Sequence, residues 1–291
     1  MFDIMSSDNP SYKLRDYYLS KQFFNNDYKN IADPLLKSFI PKKGIPLNLK
    51  KPRDYYSSTT STSLLSLHHM RLLSEELRNS FHETLFWLRD NTENTITKPK
   101  LEEDQYAWDV SESANVWCTS LAIWALLETN YNGVKNDDLK ISSLWLVEQQ
   151  RTGNGWGFDV QSKSNVFITA ITIHALKLAL TNIDFEENDY IKIDTSINNG
   201  IQYIVNSKIE EENLVYWNID DETQVADETN TLYALWILKS IDESDPSIQK
   251  GLNFIRKCWS KRRVLELQNI IEESNTKYQQ HKIITSYTPS F

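Results

Sequence analysis

Apolar residues recur along the chain with helical spacing, and two kinds of helix alternate. The stretch NVWCTSLAIWALLE, which begins at Asn115, is apolar on nearly every side, whereas DDLKISSLWLVEQQ, which begins at Asp137, has one broad apolar stripe. A helix that is apolar all round is buried, and one with a single apolar stripe lies at the surface. The pattern therefore predicts inner helices paired with outer helices. Polar residues that precede the inner helices are expected to cap them: Asp109, Ser111, Asp159 and Ser162.

The inner stretch recurs along the chain. WDVSESANVWCTSLAIWAL from Trp108 aligns without a gap with FDVQSKSNVFITAITIHAL from Phe158, and a third copy begins at Trp217. A weaker copy begins with TSLLSLHHM at Thr62, aligned with TSLAIWALL of the first copy. A period of about 50 to 60 residues is typical of a repeat architecture built from helical hairpins. Between the copies, an aromatic residue precedes aliphatic residues at four places: Trp87, Trp145, Tyr203 and Phe254.

The chain divides into three segments, and the predicted fold class is all-α, because no run of alternating apolar and polar residues predicts a strand. Residues 54–265 contain the repeated helix pairs. Residues 1–53 differ from them: DPLLKSFI predicts a short helix with Pro34 in its first turn, and PKKGIPLNLKKPR predicts a basic, proline-containing strap. Residues 266–291 begin with a helical pattern and end in a polar tail.

Composition narrows the possible functions. The 291 residues carry a net charge of −9, which argues against nucleic-acid binding by the whole surface. The two cysteines, Cys118 and Cys258, match no metal-binding spacing, which favours reduced thiols. The N-terminal sequence lacks the basic start and apolar run of a signal peptide, and no apolar run is long enough to span a membrane. We therefore expect a cytoplasmic protein.

A glycine-rich turn follows one of the outer stretches. That stretch ends at Gln149 and Gln150, and Gly155 and Trp156 follow shortly afterwards. This order resembles the QW repeat of squalene–hopene cyclases and other terpenoid cyclases. The resemblance covers residues 59–259 by repeat logic, and it implies an α/α toroid, a fold shared with the β subunits of protein prenyltransferases. In that family the Gln and Trp side chains tie the turn between helices. Large aromatic residues at helical spacing usually fill cores, so two tryptophans are expected to do so here: Trp145 and Trp156.

The resemblance also implies a chemistry. Class II terpenoid cyclases protonate an alkene or epoxide with a carboxylic acid held in an apolar pocket. The family carries this acid in an Asp-x-Asp-Asp or Asp-x-Asp-Thr motif that opens an inner helix, and the nearest stretch here is VADETNTLYAL. If its threonine is aligned with the motif, Val225 replaces the first Asp, Asp227 is the proton donor and Glu228 is its neighbour. If its Ala-Leu end is aligned without a gap, Ala226 takes the central position and the donor is lost.

A second acidic stretch competes for the same role. NIDD keeps two of the three acids, Asp220 and Asp221, but the repeat alignment places them in a loop. In either case one acid of the motif is missing. A solvated loop and a helix N-terminus account equally well for these acids, because negative charges are favourable at that end of a helix.

Aromatic residues of the inner stretches are the candidates for binding substrate. Trp124, Tyr233 and Trp236 would face the middle of a toroid and stabilise a cationic isoprenoid through their ring quadrupoles. Arg262 is a further candidate because it belongs to a basic patch that would hold a diphosphate or an acidic partner. An ordinary charged helix face is the alternative interpretation of this patch. Its members are Arg256, Lys257, Lys261, Arg262 and Arg263.

The prenyltransferase branch of the resemblance would require zinc, and the residues do not supply the site. The zinc site of that family resembles Asp-x-Cys with a distant His, but no Asp-x-Cys occurs, and Ser57 follows RDYY where the His ligand would stand. His68, His69 and His174 have no carboxylate or cysteine at ligand spacing. We therefore predict no metal and no cofactor, except Mg²⁺ if the ligand is a diphosphate.

Two functions are consistent with the sequence. In the first, a terpenoid-cyclase-like toroid binds a linear isoprenoid or prenyl diphosphate and, if Asp227 is active, cyclises it by protonation as a class II-type isomerase or lyase. In the second, the catalytic acids have drifted, and the repeats form a protein-interaction subunit of a larger complex. Neither function involves nucleic acid or a transmembrane segment.

Overall fold

Helices account for most of the protein in the computed structural model, which describes residues 34–46, 56–90, 106–110, 113–133, 135–218 and 225–260. Residues 34–38 are helical, as predicted. The all-α class is therefore confirmed as a mostly helical fold. The longer helices follow in chain order: α1 (Ser57–His69), α2 (Glu75–Asp90), α3 (Val116–Glu128), α4 (Asn136–Glu148), α5 (Val166–Asn182), α6 (Glu187–Asn206), α7 (Glu228–Ile241) and α8 (246–260).

Several predictions of the previous section fall outside the described residues. They concern most of the N-terminal segment, part of the strap and the whole C-terminal tail. The affected residues and ranges are 1–33, 47–55, Ser111, Asp220, Asp221 and 261–291, the last of which includes Lys261, Arg262 and Arg263.

The helices form an inner series and an outer series. α1 packs against α3, α3 against α5, and α5 against α7, so the odd-numbered helices follow one another. Behind them, α2 packs on α1, α4 on α3, and α6 on α5, and α4 also contacts α6. α8 packs on α7, where Gly251 lies so close to Leu235 that a Cβ would collide with its side chain. The predicted pairing of inner and outer helices is confirmed.

The two series bury their residues as their sequences predict. On α3, the residues from Val116 to Leu127 are buried, with the single exception of Trp117. An outer helix instead buries one stripe, because only one side of it meets the inner layer. On α6 the buried residues are Ile193, Ser196, Ile197, Gly200 and Ile204.

A tryptophan that precedes each of three inner helices is hydrogen-bonded to the outer helix before it. We call these residues the hook tryptophans: Trp108, Trp156 and Trp217. The indole Nε1 of Trp108 donates to the carbonyl oxygen of Leu85 on α2, over 2.8 Å. Trp156 donates in the same way to the end of α4, and Trp217 to α6, over 2.6 and 2.7 Å. All three tryptophans are fully buried. A buried indole N–H usually has a hydrogen-bond partner, and here the partner is always the preceding outer helix.

The main chain of each hook tryptophan is hydrogen-bonded to a threonine of the next inner helix, which we call the hook threonine. The backbone N–H of Trp108 donates to Oγ1 of Thr119 over 2.9 Å. The same bond joins Trp156 to Thr169 and Trp217 to Thr231, over 2.9 and 3.1 Å. In the first repeat, Ile45 replaces the tryptophan and its N–H donates to Thr60 over 3.0 Å. The described part of the chain thus contains four copies of this bond between a main-chain N–H and a threonine, and in three of them the residue is a tryptophan that also binds the preceding outer helix.

This pair of hydrogen bonds corrects the alignment of the repeats. Trp156, rather than Phe158, is the counterpart of Trp108, because both tryptophans make the same two hydrogen bonds. Phe158 is instead partly exposed. The weak first copy is also shifted, since Thr60 rather than Thr62 corresponds to Thr119.

The residues that cap α3 and α5 lie one position before each helix. Asn115 Oδ1 accepts from the N–H of Cys118 over 2.9 Å, and Asn165 does the same for α5. The expectation that Asp159 and Ser162 cap α5 is wrong. Asp159 instead accepts from the N–H and hydroxyl of Ser162 and so closes the turn before the helix. The side chain of Asp109 lies outside the described residues, like Ser111.

Short strands also occur, although none was predicted. They are β1 (Asp109–Val110), β2 (Ser113–Ala114), β3 (Ile209–Glu211), β4 (Leu214–Asn218) and β5 (Ala226–Asp227), all paired antiparallel. Only β4 is long enough to show alternation, with Val215 and Trp217 buried between less buried neighbours. Strands of two or three residues carry no periodic signal, which explains why the sequence pattern missed them.

The glycine-rich turn follows α4 in the chain and is hydrogen-bonded to α6. Gln150 Nε2 donates to the carbonyl oxygens of Asn154 and Ser196, and Ser196 returns a hydrogen bond from its hydroxyl over 2.8 Å. Gly157 lies against the main chain of Ser162, so close that a Cβ would collide with its carbonyl oxygen. The prediction that two tryptophans of this region fill the core is confirmed, because both are buried: Trp145 and Trp156.

Within the described ranges, every helix is too short or too polar to cross a lipid bilayer. Cys118 is buried and Cys258 is half-buried.

Candidate ligand-binding face on the inner helices

Three aromatic rings from three inner helices meet in one cluster. Trp124, His174 and Trp236 each lie five residues after the hook threonine of their helix. The ring centroid of His174 is 4.7 Å from that of Trp124 and 4.5 Å from that of Trp236. The two indoles stack on each other with centroids 5.5 Å apart. Equivalent positions on α3, α5 and α7 therefore point toward a common centre, although α3 and α7 flank α5 on opposite sides.

Further aromatic residues extend this cluster toward the helix N-termini. Tyr233 packs edge-on against Phe167 of α5 and against Trp236, with centroids 4.7 and 5.8 Å apart. Trp117 lies at the position of α3 that corresponds to Phe167 on α5, two residues before the hook threonine. We call the whole set the aromatic face: Trp117, Trp124, Phe167, His174, Tyr233 and Trp236.

The aromatic face contains three of the four predicted substrate-binding residues. The structure brings Trp124, Tyr233 and Trp236 together, and the fourth, Arg262, lies outside the described residues. Phe167 was not among the predicted binding residues, although the gapless match of the first two copies already places it opposite Trp117. Trp124 is buried, whereas Tyr233 and Trp236 are half-buried, so the face is partly accessible.

His174 is held neutral at the centre of the cluster. Its pKa is lowered to about 4, first by burial and then by the positive charges of Lys177 and His69. An imidazole of this kind packs as an aromatic ring against both indoles. It contributes shape and polarity to the face without a positive charge at neutral pH.

A polar rim borders the aromatic face at the C-terminal ends of the inner helices. Burial raises the pKa of the Glu128 carboxyl, and His68 opposes this shift. Burial also lowers the pKa of Lys177, whose Nζ donates to Ser240 Oγ on α7 over 3.3 Å. Burial likewise raises the pKa of Tyr233, in keeping with its place among apolar rings.

The predicted proton donor lies at the other end, where α7 begins. Asp227 is the N-cap of α7, and its Oδ2 accepts from the N–H of Asn230 over 2.6 Å. It occupies the position held by Asn115 on α3 and Asn165 on α5. Capping requires only a hydrogen-bond acceptor, which an amide and a carboxylate both supply.

The residues around Asp227 differ from those of the complete Asp-x-Asp-Asp motif. Val225, which stands in place of the first Asp, is 51% exposed. Glu228 lies in the first turn of α7 and is half-buried. The neighbouring Asn230 links α7 to the aromatic face, because its Oδ1 accepts from the backbone N–H of Phe167 over 2.8 Å. The catalytic roles of Asp227 and Glu228 stay predictions.

No metal site is apparent in the described ranges, where no three His, Cys, Asp or Glu side chains are grouped so that they could hold an ion. The rings of His68 and His69 face each other edge-on, with centroids 5.5 Å apart. Ser57, which follows RDYY, is buried at the start of α1.

A separate groove of about 330 Å³ lies on the outer layer, between the end of α4 and α6. Its lining includes Val147, Ile191, Lys192 and Thr195. None of its lining residues belongs to the aromatic face.

The chain matches no known protein-family model, and no curated protein matches its sequence. The likeness to terpenoid cyclases consequently rests on the repeat pattern and on the turn at Gln150 and Trp156.

Proposed function

We propose that the protein binds a linear isoprenoid or prenyl diphosphate against the aromatic face, with its helix pairs curved into an α/α toroid. The observation that supports this proposal is the convergence of Trp124, His174 and Trp236 from three successive inner helices. Such a convergence requires the inner series to curve, because α3 and α7 reach each other across α5. A curved series places its aromatic side chains on the concave side.

The chemistry of the face suits a prenyl chain. Branched hydrocarbon gains about 25 cal/mol for each Å² of apolar surface removed from water. Tyr233 and Trp236 are half-buried and offer ring faces that also attract positive charge. The described members of the face carry no charge at neutral pH, since His174 is neutral. A diphosphate group would therefore need a cation elsewhere, which the proposal assigns to Arg262 or to Mg²⁺.

Cyclisation is a separate step that would require Asp227 to act as the proton donor and Glu228 to assist it. Val225 supplies no carboxylate to activate this donor, and the Asp227 carboxylate already caps α7. We therefore expect binding without cyclised product. Mass spectrometry of incubations with farnesyl diphosphate, geranylgeranyl diphosphate and squalene tests this. Product that the wild-type protein forms and Asp227→Asn does not would identify the protein as a cyclase.

Calorimetric titration with farnesol and the two diphosphates, with and without Mg²⁺, tests the binding proposal. Replacing Trp236 with Leu keeps apolar volume but removes the ring, and we expect affinity to fall about tenfold. The matched control is Trp259→Leu, which changes an exposed tryptophan of α8 and should leave affinity unchanged. Absence of binding by every ligand, or equal losses in both variants, would contradict the proposal.

The alternative function, a protein-interaction subunit, is favoured by one specific observation. The last inner helix, α7, leaves part of its surface uncovered, and Leu232 on that surface is 37% exposed. This surface does not overlap the outer groove, and its consequences are developed next.

A further inference from the structure

α3 and α5 each have one face that is covered by the next inner helix. α5 meets α7 through Phe167, His174 and Lys177. α3 meets α5 through Ser120, whose Oγ lies 2.9 Å from Thr172 Oγ1, and through Trp124. Relative to the hook threonine of the same helix, these contacting residues lie two positions before it and one, five and eight positions after it. On a helix these positions fall on one side.

On α7 the same positions form a face that the next helix would cover. We call it the α7 docking face, and its residues are Thr229, Leu232, Trp236 and Lys239. Leu232 is 37% exposed, whereas its counterparts Ser120 and Ala170 are fully buried. Thr229 is exposed as well, and Trp236 and Lys239 are half-buried. The face is therefore more exposed on α7 at Thr229 and Leu232, whereas Trp236 and Lys239 are half-buried like His174 and Lys177 on α5.

The opposite end of the inner series has a different surface. α1 exposes Thr62 and Ser66, both of which are polar. Repeat arrays end in units with a polar outer face, because the end of an array meets water. α1 fits that description, but α7 exposes Leu232, with exposed Val225 before it and Ile241 after it. The series has a polar cap at α1 and an apolar end at α7.

We propose that the α7 docking face binds an amphipathic helix of a partner protein, which continues the packing of α5 on α7. The inference deepens the alternative function and rests on it, not on isoprenoid binding. Its main support is continuity with the existing interfaces, since α7 offers Leu232 and Trp236 where α3 offers Ser120 and Trp124.

The existing interfaces also indicate what kind of helix fits. α5 meets α3 with Thr172, and the next residue on that side of α5 is Ala175. Both are small and fully or nearly fully buried, as are Ala122 and Ala125 at the same positions of α3. A small residue opposite a large indole lets two helices approach closely. The partner helix is therefore expected to carry two small residues three positions apart, within an apolar stripe.

Two other occupants fit less well. The stretch VLELQNII, which begins at Val264 of this chain, has an apolar stripe but no small residue in it. A second copy would offer the end of its own array, α1, where Thr62 and Ser66 are polar. Neither surface supplies the small residues within an apolar stripe that the inner helices use.

The direct test uses a labelled peptide of residues 165–182, extended with lysines for solubility, because this segment carries Thr172 and Ala175. Fluorescence anisotropy with the full-length protein should show saturable binding. Leu232→Asp should weaken that binding about tenfold or more, because it puts a charge into the centre of the interface. The matched control, Ile191→Asp, alters an exposed aliphatic residue of α6 and should have no effect. Absent binding, or equal losses in both variants, would overturn the proposal.

Two measurements separate the other occupants. Leu232→Cys in the full-length protein should react rapidly with a thiol reagent, as followed at that site by mass spectrometry. Protection in the isolated protein would show that the chain covers its own face and would overturn the proposal. Sedimentation should show a monomer, and a dimer that Leu232→Asp dissociates would assign the face to a second copy. Farnesyl diphosphate titration of Leu232→Asp, whose changed residue is outside the aromatic face, shows whether any failure concerns docking or isoprenoid binding.

Discussion

The repeats that contain α3 and α7 share one framework and differ at two places. Both begin with a buried tryptophan that donates to the preceding outer helix, and both hold that tryptophan with a threonine. They differ in the cap, which is Asn115 on α3 and Asp227 on α7. They also differ in the face beyond the helix, which is covered on α3 and more exposed on α7. The framework explains the fold, and the two differences are where function is expected.

The hook tryptophans should give the largest effect. Replacing Trp156 with Ala removes a fully buried indole and its hydrogen bond to Leu146, so we expect a loss of about 3 to 5 kcal/mol in the free energy of unfolding. Phe158→Ala is the matched control and should cost far less, because Phe158 is partly exposed. Denaturant unfolding compares the two variants. A larger loss for Phe158→Ala would restore the gapless alignment of the repeats.

Acid should destabilise the framework through its buried histidines. Burial, followed by the charge of Arg78, lowers the pKa of His82 from 6.5 to about 4. The unfolded chain therefore binds more protons than the folded protein between these values. The resulting stabilisation is complete above pH 6.5 and is lost as the pH falls toward 4, with a total of about 3 kcal/mol for His82.

Thermal unfolding from pH 7 to pH 4 measures this dependence. His82→Gln should flatten the pH dependence relative to wild type, although it also disturbs the 2.7 Å contact between Nε2 and Thr129 Oγ1. The slope is the informative quantity, not the stability at one pH. An unchanged slope in the variant would contradict the assignment. His174→Gln should act in the same direction, because its pKa is also lowered to about 4.

Two serines at the same position of neighbouring repeats should give effects of opposite sign. Ser120 shares a hydrogen bond with Thr172, whereas Ser61 on α1 is fully buried and its hydroxyl has no hydrogen-bond partner among the described residues. Ser120→Ala should lower the free energy of unfolding by about 1 kcal/mol because it leaves Thr172 with one partner fewer. Ser61→Ala should leave stability unchanged or raise it. Losses of similar size in both variants would contradict the difference in hydrogen bonding between Ser120 and Ser61.

The caps should give the smallest effect. Asp227→Ala removes the acceptor for the Asn230 N–H and should cost about 1 kcal/mol. Asp227→Asn keeps an acceptor of the type found at Asn115 and should change stability by less than about 0.5 kcal/mol. Urea unfolding of both variants checks this. If Asn destabilised as much as Ala, the carboxylate itself would have a role beyond capping.

The inner and outer helices were predictable from the sequence because burial on all sides and burial on one side leave different patterns. The alignment of the repeats was less predictable. Hydrogen bonds fix the tryptophan and the threonine at the two ends of each connection but leave its length free. From Trp108 to Asn115 there are seven positions, and from Trp156 to Asn165 there are nine. The gapless match of WDV to FDV therefore joined residues that are not equivalent.

The variable length of this connection also affected the prediction of the candidate site. Trp124, Tyr233 and Trp236 were predictable as aromatic residues of buried helices. The gapless match already paired Trp124 with His174, but the correct threonine of α7, Thr231, was needed to see that Trp236 is their equivalent. The role of Asp227 as a cap was also hidden, because a motif of acids at a helix start has the same sequence whether it caps or donates protons.

The most direct test of the aromatic face is photo-crosslinking with a prenyl diphosphate analogue that carries a diazirine in its chain. We predict that peptide mass spectrometry will place the crosslinks on α3, α5 and α7, at or beside Trp117, Phe167 and Tyr233. Crosslinks in the outer groove at Val147 and Ile191, or none that unlabelled ligand competes away, would contradict the account.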